Sequence, residues 1–296
     1  MSSGLLTHFH QYLANNLAAF EACILLISVL AGVLGSVLGL GGGIIVIPAL
    51  TLLFGVNIRY AIGASIVSVI ATSSGAAATY VKDHITNIRV AMLLEVSTTL
   101  GAVGGAVLSG LIPAQWLYGI FALILAYSAL MMLKKRRQDS LPPGQGDAWA
   151  NRLKLNSSYP DSVLDREVEY SVTGVPLGMS LMLGAGIISG LLGIGSGALK
   201  VPAMDTAMKL PIKVSSATSN FMIGVTAAAS AGAYFVRGDV IPLVAAPVAL
   251  GVLLGSLAGT RLLMRLPAQR IRKLFVIILA MIAIQMGLKA YGLQVR

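Results

Sequence analysis

Apolar residues fill this chain in long runs, and the breaks between runs recur. Residues 96–132 pass without a charged side chain, whereas about 20 apolar residues suffice to cross a bilayer as a helix. Runs at 17–38, 61–81, 90–111 and 116–133 are followed, past a polar stretch, by runs at 175–192, 215–236, 241–263 and 271–291. Shorter apolar pieces at 44–54 and 198–208 each follow a cluster of glycines. The pattern predicts membrane helices. Composition agrees, because only 11% of residues are charged where a soluble domain carries about 25%.

The breaks organise the chain as a duplication. Gly39-Leu40-Gly41-Gly42-Gly43 with Pro48-Ala49 recurs, 154 residues later, as Gly193-Ile194-Gly195-Ser196-Gly197 with Pro202-Ala203. At the same offset Arg59 meets Lys213, Ser65 meets Ser219, Thr72 meets Thr226 and Tyr80 meets Tyr234. Gly101 meets Gly255, Gly105 meets Gly259, and Pro113-Ala114 meets Pro267-Ala268. The expected fold is an all-α integral membrane protein of two pseudo-symmetric repeats, each a glycine-broken helical hairpin plus three transmembrane helices. The first repeat takes residues 1–133 and the second 172–296. Residues 134–171, with Pro142-Pro143-Gly144 and mixed charge, read as a polar, cytoplasmic linker with a short amphipathic piece around 162–170.

Charge then bears on orientation. The net charge of +10 sits mainly at the ends of apolar segments, as in the cytoplasmic loops of membrane proteins, so a nucleic-acid partner is not expected. If each broken hairpin returns to its starting side, each half crosses three times and the halves are inverted. Lys82 and Arg89, Lys134-Lys135-Arg136-Arg137, Lys209 and Lys213, and Arg261 through Lys273 then all face the cytoplasm. Parallel halves would put two of these clusters on opposite sides, which the positive-inside bias disfavours. Both termini face out in the inverted arrangement.

Paired glycine-broken segments point to a transporter's binding site, since irregular backbone at membrane depth must be buried or line a wet cavity. A helix that starts after such a break aims free N–H groups at it, and an anion is the natural guest. Gly39, Gly41, Gly42, Gly43, Gly193, Gly195, Ser196 and Gly197 are therefore candidate binding positions. A side chain added at Gly41 or Gly195 is expected to fill the anion's approach. Gly101, Gly104, Gly105, Gly255 and Gly259 fit close helix packing better. Ser65, Thr218, Ser219 and Asn220 offer hydroxyls and an amide to an oxyanion, although Ser and Thr also bond back to their own helix. Lys200 follows the second cluster by three residues and is placed to attract an anion, while its repeat partner is Val46. Asp205 and Glu95 are candidate coupling groups, Asp205 also as an ion-pair partner for Lys200 and Glu95 alternatively as an interfacial residue. Arg59 and Lys213 either steer anions or snorkel. His8, His10 and His84 show no ligand spacing and Cys23 stands alone, so neither a metal site nor a cofactor is expected.

The run Gly35-Ser36-Val37-Leu38-Gly39-Leu40-Gly41-Gly42-Gly43 before Pro48, and its echo from Gly190 to Pro202, resemble the sulfite exporter TauE/SafE family. The likeness covers both repeats, residues 31–291. It implies a multi-pass carrier of the bacterial or archaeal cytoplasmic membrane for small sulfur-containing anions: sulfite, thiosulfate, sulfoacetate or other organosulfonates. Ser196 stands where the first cluster has Gly42, and the linker is long and charged. The reading is an alternating-access transporter whose partners are a small anion, a co-transported proton and the lipid bilayer. Other readings are an anion channel or a carrier of another small anion. The lack of a nucleophile–base pair or carboxylate dyad at depth argues against an enzyme. Neither the direction of transport nor the oligomeric state is legible.

Overall fold

A computed structural model describes residues 17–133, 146–161 and 164–290 of the chain. The features read at His8, His10, Lys134-Lys135-Arg136-Arg137, Pro142-Pro143-Gly144 and Ser162 lie outside these residues. The first half contains α1 (Leu17–Leu38), the short α2 (Gly43–Pro48) with one turn of π-helix (Ala49–Leu53), α3 (Ile58–Lys82), α4 (Ile88–Ser109) and α5 (Ala114–Leu133). Between the halves lie α6 (Ala148–Arg152), β1 (Ser157–Asp161) and β2 (Arg166–Tyr170). The second half has α7 (Val175–Leu192), α8 (Gly197–Thr206), α9 (Ile212–Val236), α10 (Pro242–Arg265) and α11 (Ala268–Ala290). Among the described residues, six helices are long and apolar enough to cross a membrane: α1, α3, α4, α7, α10 and α11. The protein is an all-α membrane protein with almost no sheet.

Local chemistry sets the helix starts. The Asn57 side chain accepts the Arg59 N–H and opens α3, and the Asn87 side chain accepts the Val90 N–H and opens α4. Helix α9 begins at Ile212, three residues before the serine predicted to open it, because Pro211 caps it in the extended conformation that ends the preceding turn.

The halves are interleaved. Helix α1 of the first half packs chiefly on α10 of the second, and α7 of the second packs chiefly on α4 of the first. Helices α3 and α9 meet at the centre, and α5 pairs with α11. Glycines make the two exchanged contacts possible, since lipid supplies no hydrophobic drive and helices in it adhere by close packing. A Cβ on Gly101 would fall 2.3 Å from Leu183 O, and one on Gly105 2.0 Å from Ile187 O. Gly186 and Gly190 on α7 return the fit against Thr98 O and Ala102 O. On the other side Gly255 lies against Val29 O, Gly259 against Val33 O, and Gly32 against Val252 O. The packing role read for these glycines holds at 101, 105, 255 and 259, but not at Gly104. A Cβ there would meet no heavy atom within 4 Å, because one step along a helix turns a residue away from the seam.

The linker is built into the fold. Where an amphipathic piece was expected, an antiparallel hairpin stands, with Ser157 opposite Tyr170 and Asp161 opposite Arg166. The physical reason is the alternation in Arg166–Tyr170, whose β-branched and aromatic residues at 168 and 170 turn inward while 167 and 169 face out. The hairpin docks through ionic and amide contacts. Asp161 Oδ1 meets Lys213 Nζ at 2.8 Å, both buried, and Asn87 Nδ2 donates to Leu155 O and to the Tyr170 hydroxyl. Burial pushes the Tyr170 phenol up to about 12 and raises that of Tyr159 as well, so both phenols stay neutral around neutral pH. Lys213, read as a steering or snorkelling residue, is thus the membrane half of a linker anchor. Arg59, its repeat counterpart, donates to Ile112 O.

The seam glycines yield a contrast. Gly105→Leu and Gly255→Leu are expected to abolish the monodisperse folded protein in size-exclusion chromatography, because each side chain would need to pass through a neighbouring backbone. Gly104→Leu, one residue away and facing open space, is expected to elute and melt like the parent.

Candidate functional site

Each glycine cluster is a turn that reverses an incoming helix into a short one. In the first, Gly39, Gly41 and Gly42 all have φ near +70°. In the second, Gly193 and Gly195 repeat this, and Ser196 adopts φ +58° in the place of Gly42. The turn therefore survives the substitution that distinguishes the two clusters, with Ser196 Oγ folded back onto Gly195 O.

The two breaks touch. A Cβ on Gly197 would lie 2.1 Å from Gly39 O, and one on Gly43 2.3 Å from Ser65 Oγ and 3.6 Å from Gly193 O. Their open carbonyls are closed crosswise. The Ser65 hydroxyl donates to Gly193 O at 2.8 Å, and its repeat counterpart Ser219 donates to Gly39 O at 2.7 Å. Within each half, the Tyr80 hydroxyl donates to Ser36 O at 3.1 Å and the Tyr234 hydroxyl to Gly190 O. Ser65 and Ser219 thus spend their single protons on backbone. Gly41 and Gly195 both face Val69 and Ile223, with Ile223 Cδ1 2.5 Å from a Cβ on Gly41 and Val69 Cγ1 2.7 Å from one on Gly195. The space expected to be an anion's approach at Gly41 and Gly195 is, in this conformation, filled by those two side chains. A larger residue there would act first on packing.

Polar groups of α9 line the break. Asn220 Nδ2 donates to Ser36 O and Ser216 O, and Asn220 O accepts from the Ser73 hydroxyl at 2.6 Å. Thr218 faces the other way, where its hydroxyl accepts the Asn87 N–H at 3.1 Å near the linker. The buried side-chain atoms left without a hydrogen-bond partner among the described residues are Thr86 Oγ1, Ser215 Oγ, Ser216 Oγ and Asn220 Oδ1. Three of the four belong to one six-residue stretch of α9, and Ser216 abuts Gly39. Buried polar atoms are almost always paired, so this stretch has spare capacity for a polar guest.

One turn past Gly197, the ammonium of Lys200 is fully buried. It donates to the Thr226 hydroxyl at 2.6 Å and lies 3.3 Å from Glu95 Oε2. Thr226 in turn donates to Glu95 Oε1 at 2.5 Å. The ion-pair partner of Lys200 is therefore Glu95 of α4, and Glu95, 7% exposed and two turns inside its helix, is a core residue rather than an interfacial one. Asp205, five residues on, is turned about 140° round α8 from Lys200. Of Thr98 and Thr99, which the sequence reading did not single out, Thr99 donates to Glu95 at 3.1 Å, while Thr98, 3.2 Å from Oε2, sets its single proton nearer Leu94 O at 2.8 Å. Their signal was the i+3, i+4 spacing from an intramembrane acid. Thr226 was visible only as the repeat partner of Thr72.

This buried pair makes a sharp prediction about stability. Glu95→Gln or Lys200→Met alone strands a charge, which costs about 3–5 kcal/mol, and should lower the thermal midpoint in detergent. The Glu95→Gln/Lys200→Met double variant should recover most of that loss; additive destabilisation would show that the two groups do not act as a pair.

Comparison with known proteins places this architecture. The profile of the family described as "Sulfite exporter TauE/SafE" matches residues 24–286. "Probable membrane transporter protein YunE" of Bacillus subtilis is 28% identical over 279 residues, covering 89% of this chain and 96% of that protein. "Probable membrane transporter protein YdhB" of the same organism is 26% identical over 80% of this chain and 88% of its own length. "Probable membrane transporter protein ORF9" of a Sinorhizobium species is 26% identical over 93% and 94% respectively. No solved structure matches. With the family profile spanning nearly the whole chain and six helices fit to cross a bilayer, this multi-pass membrane protein belongs to the sulfite exporter TauE/SafE family of membrane transporters.

Proposed function

We propose that the chain is a secondary transporter for sulfite, thiosulfate or an organosulfonate across the bacterial or archaeal cytoplasmic membrane, working by alternating access. The halves run inverted across the bilayer, with the linker and the basic loops on the cytoplasmic side. The anion binds between the two glycine breaks, against the Ser215 and Ser216 hydroxyls of α9, and is drawn by Lys200. The observation that carries this reading is Lys200 itself: an ammonium with no exposed surface, one turn behind a broken helix, at a depth where charge is costly and marks function. The unpaired hydroxyls of Ser215 and Ser216 supply neutral donors that bind oxyanion oxygens without the desolvation cost of further charge. The family's name supplies the sulfur chemistry.

The test is flux of sulfite and thiosulfate into proteoliposomes holding the purified protein. Saturable uptake is expected for at least one of the two. The Glu95→Gln/Lys200→Met variant should insert and fold yet bind that anion at least about tenfold more weakly, since it lacks the charged partner. Full flux in the double variant would remove Lys200 from the site.

A further inference from the structure

The carboxylate of Glu95 occupies what is chemically an oxyanion site. Three donors converge on it: the Thr226 and Thr99 hydroxyls at 2.5 and 3.1 Å on Oε1, and Lys200 Nζ at 3.3 Å on Oε2. One ammonium and two hydroxyls are a set that would suit a sulfite or sulfonate group. Among the described residues the site exists once. At the repeat offset Lys200 is replaced by Val46 and Glu95 by Ala249, while Thr72, in the place of Thr226, bonds back to Ser68 O.

We propose that Glu95 is a tethered stand-in for the transported anion: it holds Lys200 and Thr226 while the site is empty, and yields them only by taking up one proton. This rests on the reading of Lys200 as the anion's cation. The charge balance enforces the exchange. With Glu95 ionised, Lys200 is neutralised, and an arriving monoanion would leave two negative charges on one ammonium in a poorly solvated interior. When a proton from solution adds to the Glu95 carboxylate, the acid is neutral, the Lys200 ammonium is released, and the anion restores the neutral pair. Proton and anion therefore each strengthen the other's binding.

Few other charges bear on this pair. Helix α7, packed along α4, has no titratable residue. Helix α8 contributes Asp205, and α9 contributes Lys213, held by Asp161, and Tyr234. Tyr118 and Tyr127 lie on α5, which packs on α8. Arg237 reaches α4 at Ala106 O, eleven residues or about 16 Å along the helix from Glu95.

The experiment measures methanesulfonate and ethanesulfonate binding by calorimetry in buffers of different ionisation enthalpy, from mildly acidic to mildly alkaline solution. Both are monoanions over that whole range, so any proton taken up goes to the protein. Wild type is expected to take up about one proton per anion, to lose about tenfold in affinity per pH unit on the alkaline side, and to show a protonated-carboxyl band in its infrared difference spectrum. Glu95→Gln is expected to bind with no proton uptake and a flat pH profile. Anion binding by wild type with neither proton uptake nor the carboxyl band overturns the proposal, whether or not Glu95→Gln folds. Proton uptake that persists in Glu95→Gln also overturns it, while leaving Lys200 as the anion's cation. Absence of binding together with absence of sulfite or thiosulfate flux removes both the proposal and the functional reading beneath it.

Discussion

A carbonyl oxygen exposed by a broken helix has no water to bond inside a membrane, and much of this structure follows from that constraint. Each half breaks a helix at its glycine cluster, and each break is closed by a serine of the other half. Ser65 serves Gly193 O and Ser219 serves Gly39 O. The crosswise repair demands that α3 and α9 lie against the opposite breaks. It also demands that α1 and α7 leave their own halves to pack on α10 and α4. Glycines at 101, 105, 186, 190, 251 and 255 let those backbones approach until no side chain fits between them.

Sequence pattern alone exposed the scaffold. The offset of 154 residues pairs Ser65 with Ser219 and Tyr80 with Tyr234, and these residues make equivalent hydrogen bonds on the two sides. The same pattern could not tell a hydroxyl that binds a guest from one that binds a backbone carbonyl. Both uses require a small donor facing a glycine break, and only three-dimensional placement separates Ser65, already committed, from Ser216, still unpaired. The Glu95–Lys200 pair was hidden for a different reason: its members stand 105 residues apart in the chain, and no local period connects them. Gly104 misled because composition does not record which face of α4 meets a neighbour. The hairpin of the linker was missed because its strands are five residues each, too short for periodicity to outweigh their polar composition.

The chemistry is less symmetric than the frame. Ser215, Ser216 and Asn220 correspond to Ala61, Ile62 and Ile66, and Lys200 corresponds to Val46. At these positions the first half thus supplies shape where the second supplies polarity, although it also extends Glu95 and Ser73 across the boundary. Under the proposed mechanism, a symmetric pair of broken hairpins would present itself alike to both sides of a membrane, while a single charged centre would keep one binding event per cycle.

The crossed arrangement also governs how such a chain can be made. A ribosome delivers the first half before the second, so α4 emerges with its glycine notches empty and Gly39 O without its serine. Neither is satisfied until α7 and α9 are synthesised, well over a hundred residues after the first break. The first half alone therefore cannot complete its final set of contacts. The linker hairpin, anchored to Asn87 on one side and Lys213 on the other, is the piece that arrives in between and ties the early helices to the late ones.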